Sequence, residues 1–247
     1  MKKSIILFSI LFAFSVSVNA QERPLDEYTV VTDSLHIHQP YASWKAKIAT
    51  GDYILSPVTP GAYNTEYLLI KLKAKEKETN MSSMDKPTPS TFFTNGKTIL
   101  PFTARDIYGF RLNLKTLIGK VVVIHFWSIE CITCPLEFPE LNKISTRYSG
   151  DPNVEFISVC LQHKYDIQDF IKNKPFLFHI VDDGQAIFNL YKIDTFPTEV
   201  VLDRDGKVVF QTTNYHLNTA YWIQKSVEEA LAVKPPADVK ITPLQKF

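Results

Sequence analysis

Two of the chain's three cysteines stand three residues apart, at Cys131-Ile132-Thr133-Cys134, and no other side chains in the sequence are so well placed for covalent chemistry. They follow the apolar, β-branched run Val121-Val122-Val123-Ile124-His125-Phe126-Trp127 and precede a stretch with Leu141, Ile144 and Tyr148 at helical spacing. A thiol at a helix N-terminus meets unpaired backbone N–H groups and the positive end of the macrodipole, which favour the nucleophilic thiolate. A second thiol one turn further on can attack a mixed disulfide formed by the first. The same spacing is also half of a zinc site. Cys160 and His163 are the local candidates to complete one, but they follow another strand, and a strand–helix–strand setting favours redox work. Cys160 ends the apolar run 154–161 and reads as a buried thiol acting as a small hydrophobe.

The elements around the pair follow from pattern. The run 121–127 is almost continuously apolar, as a strand buried on both faces should be. Residues 154–161 read as a second such strand, and 165–172 as a helix. The runs 199–202 and 207–210 flank Asp203-Arg204-Asp205-Gly206, a hairpin signal. Ile223, Val227 and Leu231 place a helix over 218–232 behind Asn218 or Thr219 as cap. The resulting order predicts an α/β layered domain with a mixed central sheet.

The whole chain bounds the alternatives. It has 247 residues, 27 basic against 26 acidic side chains and 45% hydrophobic residues. That balance excludes a disordered tail protein and gives no electrostatic case for nucleic acid. Three cysteines cannot staple a chain of this length, because disulfide scaffolds are short and cysteine-dense. Residues 1–20 read as a secretory signal peptide: Lys2-Lys3, an apolar run to Val18, then Asn19-Ala20 as the cleavage site. Spanning a membrane takes about 20 apolar residues, so no stable insertion is expected after cleavage. Gln21, in place of a cysteine, disfavours a lipid anchor. Residues 21–74 carry scattered aromatics and period-two stretches broken by Thr50-Gly51-Asp52 and Thr59-Pro60-Gly61, which predict a small β-rich segment of antiparallel strands. His36 and His38 alternate within it, a weak metal signal without a third ligand. Charged residues followed by Lys86-Pro87-Thr88-Pro89-Ser90 mark 75–90 as a linker. The main domain then runs over 91–232, with a tail at 233–247.

Phe126-Trp127 before the pair, and Glu137-Phe138-Pro139 after it, resemble the thioredoxin superfamily, and within it the exported TlpA/ResA-type thiol–disulfide oxidoreductases. The segments 106–109 and 119–120 resemble that group's lead-in hairpin, and 191–206 its cis-proline segment. The resemblance covers about 100–232. It implies a thioredoxin-like three-layer fold with Cys131 as attacking thiol, Cys134 as resolving thiol and Pro197 as the cis-proline facing them. It also implies that Glu137 accepts the Cys134 proton, that Phe196, Trp127 and Thr198 meet the substrate, and that Pro139 kinks the helix. No cofactor or metal is expected. Partners would be protein thiols or disulfides, apo-cytochrome c among them, with a membrane thiol reductase supplying electrons in a periplasmic or other exported setting.

Departures from the pattern shape the direction of the reaction. Glu130 replaces the usual Trp before the first cysteine, and its charge opposes a thiolate at Cys131. A less stabilised thiolate gives a more reducing couple, so a reductant is expected. His125 occupies a position where many thioredoxins keep a buried acid. Two other readings stay open. A peroxiredoxin-like peroxidase shares the fold but would place a Thr where Ser128 stands, after an upstream Pro. A copper carrier would add a histidine such as His179 or His216 to the two thiolates.

Overall fold

The computed structural model describes residues 24–63 and 65–236; the expected signal peptide and most of the expected tail lie outside them. In chain order the elements are β1 (Val31–Thr32), α1 (Tyr41–Ala49), β2 (Tyr53–Pro57), β3 (Tyr67–Lys71) and α2 (Ala74–Ser83). A short hairpin, β4 (Thr103–Arg105) and β5 (Arg111–Asn113), precedes a 3-10 turn at Leu114–Leu117. Then come β6 (Val121–Trp127), α3 (Cys134–Arg147), β7 (Val154–Cys160), α4 (Lys164–Asn173), β8 (His179–Val181), α5 (Gln185–Tyr191), β9 (Thr198–Leu202), β10 (Val208–Thr213) and α6 (Thr219–Ala232). The described residues divide into two compact units, one of 24–44 with 55–70, the other of 45–54 with 71–236.

The smaller unit is built on a three-stranded sheet in the order β1-β3-β2. Its strands β1 and β3 run parallel, with Val31 opposite Tyr67, rather than antiparallel as the patterning suggests. The intervening chain contains α1, which supplies the crossover length that a parallel pair requires. Val31, Leu69 and Trp44 are its buried apolar side chains.

The linker expected over 75–90 is a helix for most of its length. Residues 74–83 form α2, and the Glu76 carboxylate accepts from the Lys73 N–H to cap its start. The charge run is one face of that helix. Lys77 pairs with Asp52 at 2.7 Å and with Glu140 at 3.2 Å, while Met81 is buried. Alternating charge over a run of strong helix formers is a solvated helix face as readily as a linker. Proline chemistry sets in only after Ser83.

The larger unit is an α/β fold around a five-stranded sheet in the order β10-β9-β6-β7-β8. Strands β6, β7 and β8 are parallel, and β9 and β10 are antiparallel to their neighbours. Period-two alternation divides the central strands between two cores. Val121, Val123, Trp127 and Val201 face one cluster with Phe138 and Leu141 of α3, Ile167 of α4, and Ile223 and Val227 of α6. Val122, Ile124, Phe126, Val200 and Leu202 face the other, with Leu114, Leu117, Ile187 and Phe188. Helices therefore cover both faces, giving three layers. The hairpin β4–β5 turns at Asp106–Gly109, and β9–β10 turns at Asp203–Gly206, both where the sequence places them.

Candidate active site

Strand β6 is buried along its whole length, and the chain leaves it through Ser128, Ile129 and Glu130 to reach Cys131. Helix α3 starts at Cys134, one turn later than a cysteine-capped helix would, so Cys131 lies in the turn before it. Pro135 costs nothing there, because first-turn N–H groups have no intrahelical partner. The two cysteines form a disulfide with Cα atoms 5.5 Å apart. The Cys134 N–H donates to Cys131 Sγ at 3.1 Å, and the Thr133 hydroxyl stands 3.6 Å from the same sulfur. These donors would equally serve a thiolate at Cys131.

The two sulfurs differ in access. Cys131 is partly exposed, whereas Cys134 is fully buried. Around Cys131 the surface is apolar: Ile132 is 89% exposed and Leu136 is 45% exposed. Glu130 is exposed beside them. The Phe196–Pro197 peptide is cis. Phe196, partly buried, packs at the rim of the same cluster as Cys131 and meets Phe188 edge-to-face. Trp127 and Thr198 are buried: the Trp127 Nε1–H donates to Ser158, and the Thr198 hydroxyl donates to the Thr195 carbonyl. Neither side chain reaches the surface, so the expectation that they meet the substrate directly is not met.

Gln162 is a contributor that motif reading passes over. Its side-chain oxygen accepts from the Ile129 N–H at 2.9 Å, and its amide donates to the Ser128 hydroxyl at 3.0 Å. The Cys160 thiol donates to the same Gln162 oxygen at 3.3 Å. One side chain beyond β7 thus pins the loop that presents Cys131, and only its place just past a strand end marks it in the sequence. Burial pushes the Cys160 thiol up to about 12, which keeps it protonated and unreactive.

A buried acid cluster includes a residue of the first turn of α3. Glu137 is one turn beyond Cys134 on α3, and neither of its carboxyl oxygens has a hydrogen-bond partner. Antiparallel register sets His125 on β6 directly opposite Glu199 on β9, and His125 Nδ1 hydrogen-bonds the Glu199 carboxyl. The ligand atoms of His125, Glu137 and Glu199 lie within 4.8 Å of one another. Burial pushes Glu137 well above the ordinary carboxylate range, and the nearby Glu199 pushes the same way, against His125 and the Thr219 hydroxyl. Burial likewise lowers His125 to about 4, so its imidazole is neutral. Glu199 carried a signal that was readable: a charge inside an otherwise apolar strand.

The remaining histidines stand apart from the cysteines. His179 bonds Asp106 and packs on Phe110, His216 faces the Thr213 carbonyl, and His163 is paired with Asp182 and Asp183. Among the described residues, neither His/Cys/Asp/Glu group close enough to hold a metal includes a cysteine. His36 and His38 are exposed.

A half-accessible thiol bonded to a buried one, at the end of the central strand and the start of a helix, defines a thioredoxin-fold protein with a dithiol–disulfide centre. Residues 95–211 match the AhpC/TSA family. The chain is 32% identical over 118 residues to the thiol-disulfide oxidoreductase ResA of Bacillus thuringiensis (strain Al Hakam), covering 47% of this chain and 68% of that one. ResA of Halalkalibacterium halodurans is 28% identical over 145 residues, 58% of this chain and 78% of that one. The chain spans about two thirds of the length of the first Bacillus relatives it matches. Among solved structures, a Chlorobium tepidum protein described as the thiol:disulfide interchange protein DsbE superposes with a TM-score of 0.51 at 24% identity, covering 56% of this chain and 99% of that one. A Bacteroides thetaiotaomicron protein described as a protein disulfide isomerase gives 0.52 at 23%, covering 57% and 92%. These two likenesses bear on the fold. The chain belongs to the thioredoxin-fold thiol–disulfide oxidoreductases of the ResA type.

Proposed function

We propose that this protein is an exported reductant of protein disulfides. The observation that carries the reading is the unequal access of the two sulfurs, which assigns Cys131 to attack and Cys134 to resolution. The Cys131 thiolate attacks a substrate disulfide, and one substrate sulfur leaves with the electron pair. The Cys134 thiol then gives its proton to Glu137, and its thiolate attacks Cys131 Sγ. The Cys131–Cys134 bond forms, the mixed disulfide breaks, and the second substrate sulfur leaves as a thiolate that takes a proton from water. Two electrons pass from the pair to the substrate.

Recognition rests on the apolar collar of Ile132, Leu136 and Phe196, with the backbone at cis-Pro197 as an edge for an extended peptide. That surface suits unfolded thiol proteins such as apo-cytochrome c, and a membrane thiol reductase would restore the dithiol. Glu130 beside Cys131 favours the reducing direction, with a potential nearer about −270 mV than about −120 mV. Equilibration with glutathione buffers measures it, and a value above about −160 mV reverses the direction. Trapping tests the reaction itself. In Cys134→Ser the mixed disulfide at Cys131 should persist and its partner be identifiable by mass spectrometry. Trapping of no partner in the native compartment would remove the oxidoreductase reading.

A further inference from the structure

Glu137 and Glu199 bring two carboxyls into one apolar pocket, and among the described residues no lysine or arginine forms an ion pair with either. The groups facing Glu137 come from four places. His125 faces it from β6, Glu199 from β9, the Thr219 hydroxyl from the start of α6, and Tyr215 from the loop before it. On its own helix, Glu140 is engaged outward by Lys77 and Lys143. The remaining walls are aromatic: His125 meets Phe138 and Phe176 edge-on. Charging both of two carboxylates so close and so dry is costly, so the second proton is held far more tightly than the first. They titrate as a pair, in two separated steps.

The asymmetry of the pair decides which ionises first. His125 is neutral, and its Nδ1 faces Glu199, so an Nδ1–H there stabilises a Glu199 carboxylate. Glu137 has no such donor within hydrogen-bond geometry. We propose that His125 and Glu199 are positioning residues for thiol–disulfide exchange: the two carboxyls share one proton, Glu199 is the ionised partner, and its charge holds that proton on Glu137 beside Cys134. This rests on the exchange reaction proposed above.

The consequence is a single proton that moves with the sulfur chemistry. When an external dithiol opens the disulfide, its thiolate bonds to Cys131 Sγ, the Cys131–Cys134 bond breaks, and the electron pair leaves on Cys134 Sγ. Glu137 supplies the proton that makes Cys134 a thiol. On closing, the proton returns to Glu137. A like charge at Glu199 raises the proton affinity of Glu137 toward that of a thiol, the matched condition for transfer in both directions.

The test is the pH dependence of disulfide opening by a small dithiol in the full chain, corrected for ionisation of the dithiol. Opening should slow at high pH as Glu137 loses its proton. In Glu199→Gln, which keeps the shape and removes the charge, that limb should move down by about one pH unit or more. His125→Gln should move it the same way, because an unsupported Glu199 stays protonated. Coincident profiles overturn the proposal. If the variants fail to fold, infrared difference spectra of the unsubstituted protein decide. Reduction should consume a protonated-carboxyl band present in the disulfide form at neutral pH, and absence of that band overturns the proposal. Stoichiometric Zn²⁺ binding with both cysteines blocked, lost in Glu199→Gln, would assign the cluster to a metal and overturn it as well. No exchange by the unsubstituted protein at any pH would instead strike the reading of function.

Discussion

Two acid–histidine networks flank the central strands, one partly open at His179 and one fully buried, and they are treated in opposite ways. Toward β8, Glu155 meets Lys120 at 3.0 Å and His179 at 3.6 Å, while His179 also bonds Asp106 at 2.6 Å. Asp106 accepts further bonds from the Tyr108 and Phe110 N–H groups. Burial pushes Asp106 up, but His179 and the two amides outweigh it and hold the carboxyl below its ordinary value. Toward β9, Glu137 and Glu199 share one neutral histidine, and four of the cluster's polar atoms lack any hydrogen-bond partner. A satisfied network fixes structure. An unsatisfied one holds groups of perturbed proton affinity, the condition that sites of proton transfer exploit.

That contrast fails most visibly if the two sites respond alike to substitution. Glu137→Gln should slow resolution of the Cys131 mixed disulfide by about 10²- to 10⁴-fold, the usual worth of a positioned acid–base group, with stability unchanged or raised. Quenched-flow alkylation of Cys134 measures the rate, and a loss under threefold would separate Glu137 from the chemistry. Lys120→Met should do the reverse. It strands the Glu155 charge and should cost about 3–5 kcal/mol in urea unfolding, with exchange per folded molecule unaltered.

The pH dependence of stability should differ in sign between the networks. Asp106, held low in the folded chain, stabilises above its unfolded value of 3.8, and that stability drains away as pH falls through the lower folded value. Burial pushes Glu137 and Glu199 up, so the folded pair keeps a shared proton that the unfolded chain releases, and stability declines as pH rises from 4.5 upward. Urea titrations across pH should show that decline flatten in Glu199→Gln; an unchanged slope would place the source elsewhere. The smallest effect belongs to Gln162→Ala. Losing its bonds to the 128–129 loop should cost about 1–3 kcal/mol, with faster amide exchange confined to residues 128–131. Protection equal to that of the unsubstituted chain would remove Gln162 as the clamp.

What was legible in the sequence was local. The cysteine pair, the hairpin at Asp203–Gly206, a helix after the pair and another over 218–232 each declare themselves within a few residues. The meeting of His125 with Glu199 spans 74 positions and depends on antiparallel register between strands that are not consecutive in the chain. The linker expectation failed because charge alternation alone does not separate a solvated helix from a spacer; what settles it is the pairing of Lys77 with Asp52 and the burial of Met81. Of the two cap candidates, Asn218 and Thr219, Asn218 holds the position, but its side-chain amide donates elsewhere, to the carbonyls of Met81 and Asp85.

That last contact separates ancestry from autonomy. The AhpC/TSA match stops at 211, yet the helix that brings Thr219 to the acid cluster begins at 219 and is latched by Asn218 to the end of α2, well before residue 95. A fragment trimmed to the matched stretch would keep both cysteines and lose Thr219 from beside Glu137, together with Ile223 and Val227 from the core that α3 packs on. Water would then reach the carboxyl, and a dry proton store would become an ordinary surface acid. The portable part of this molecule and its smallest working part are therefore different lengths of chain.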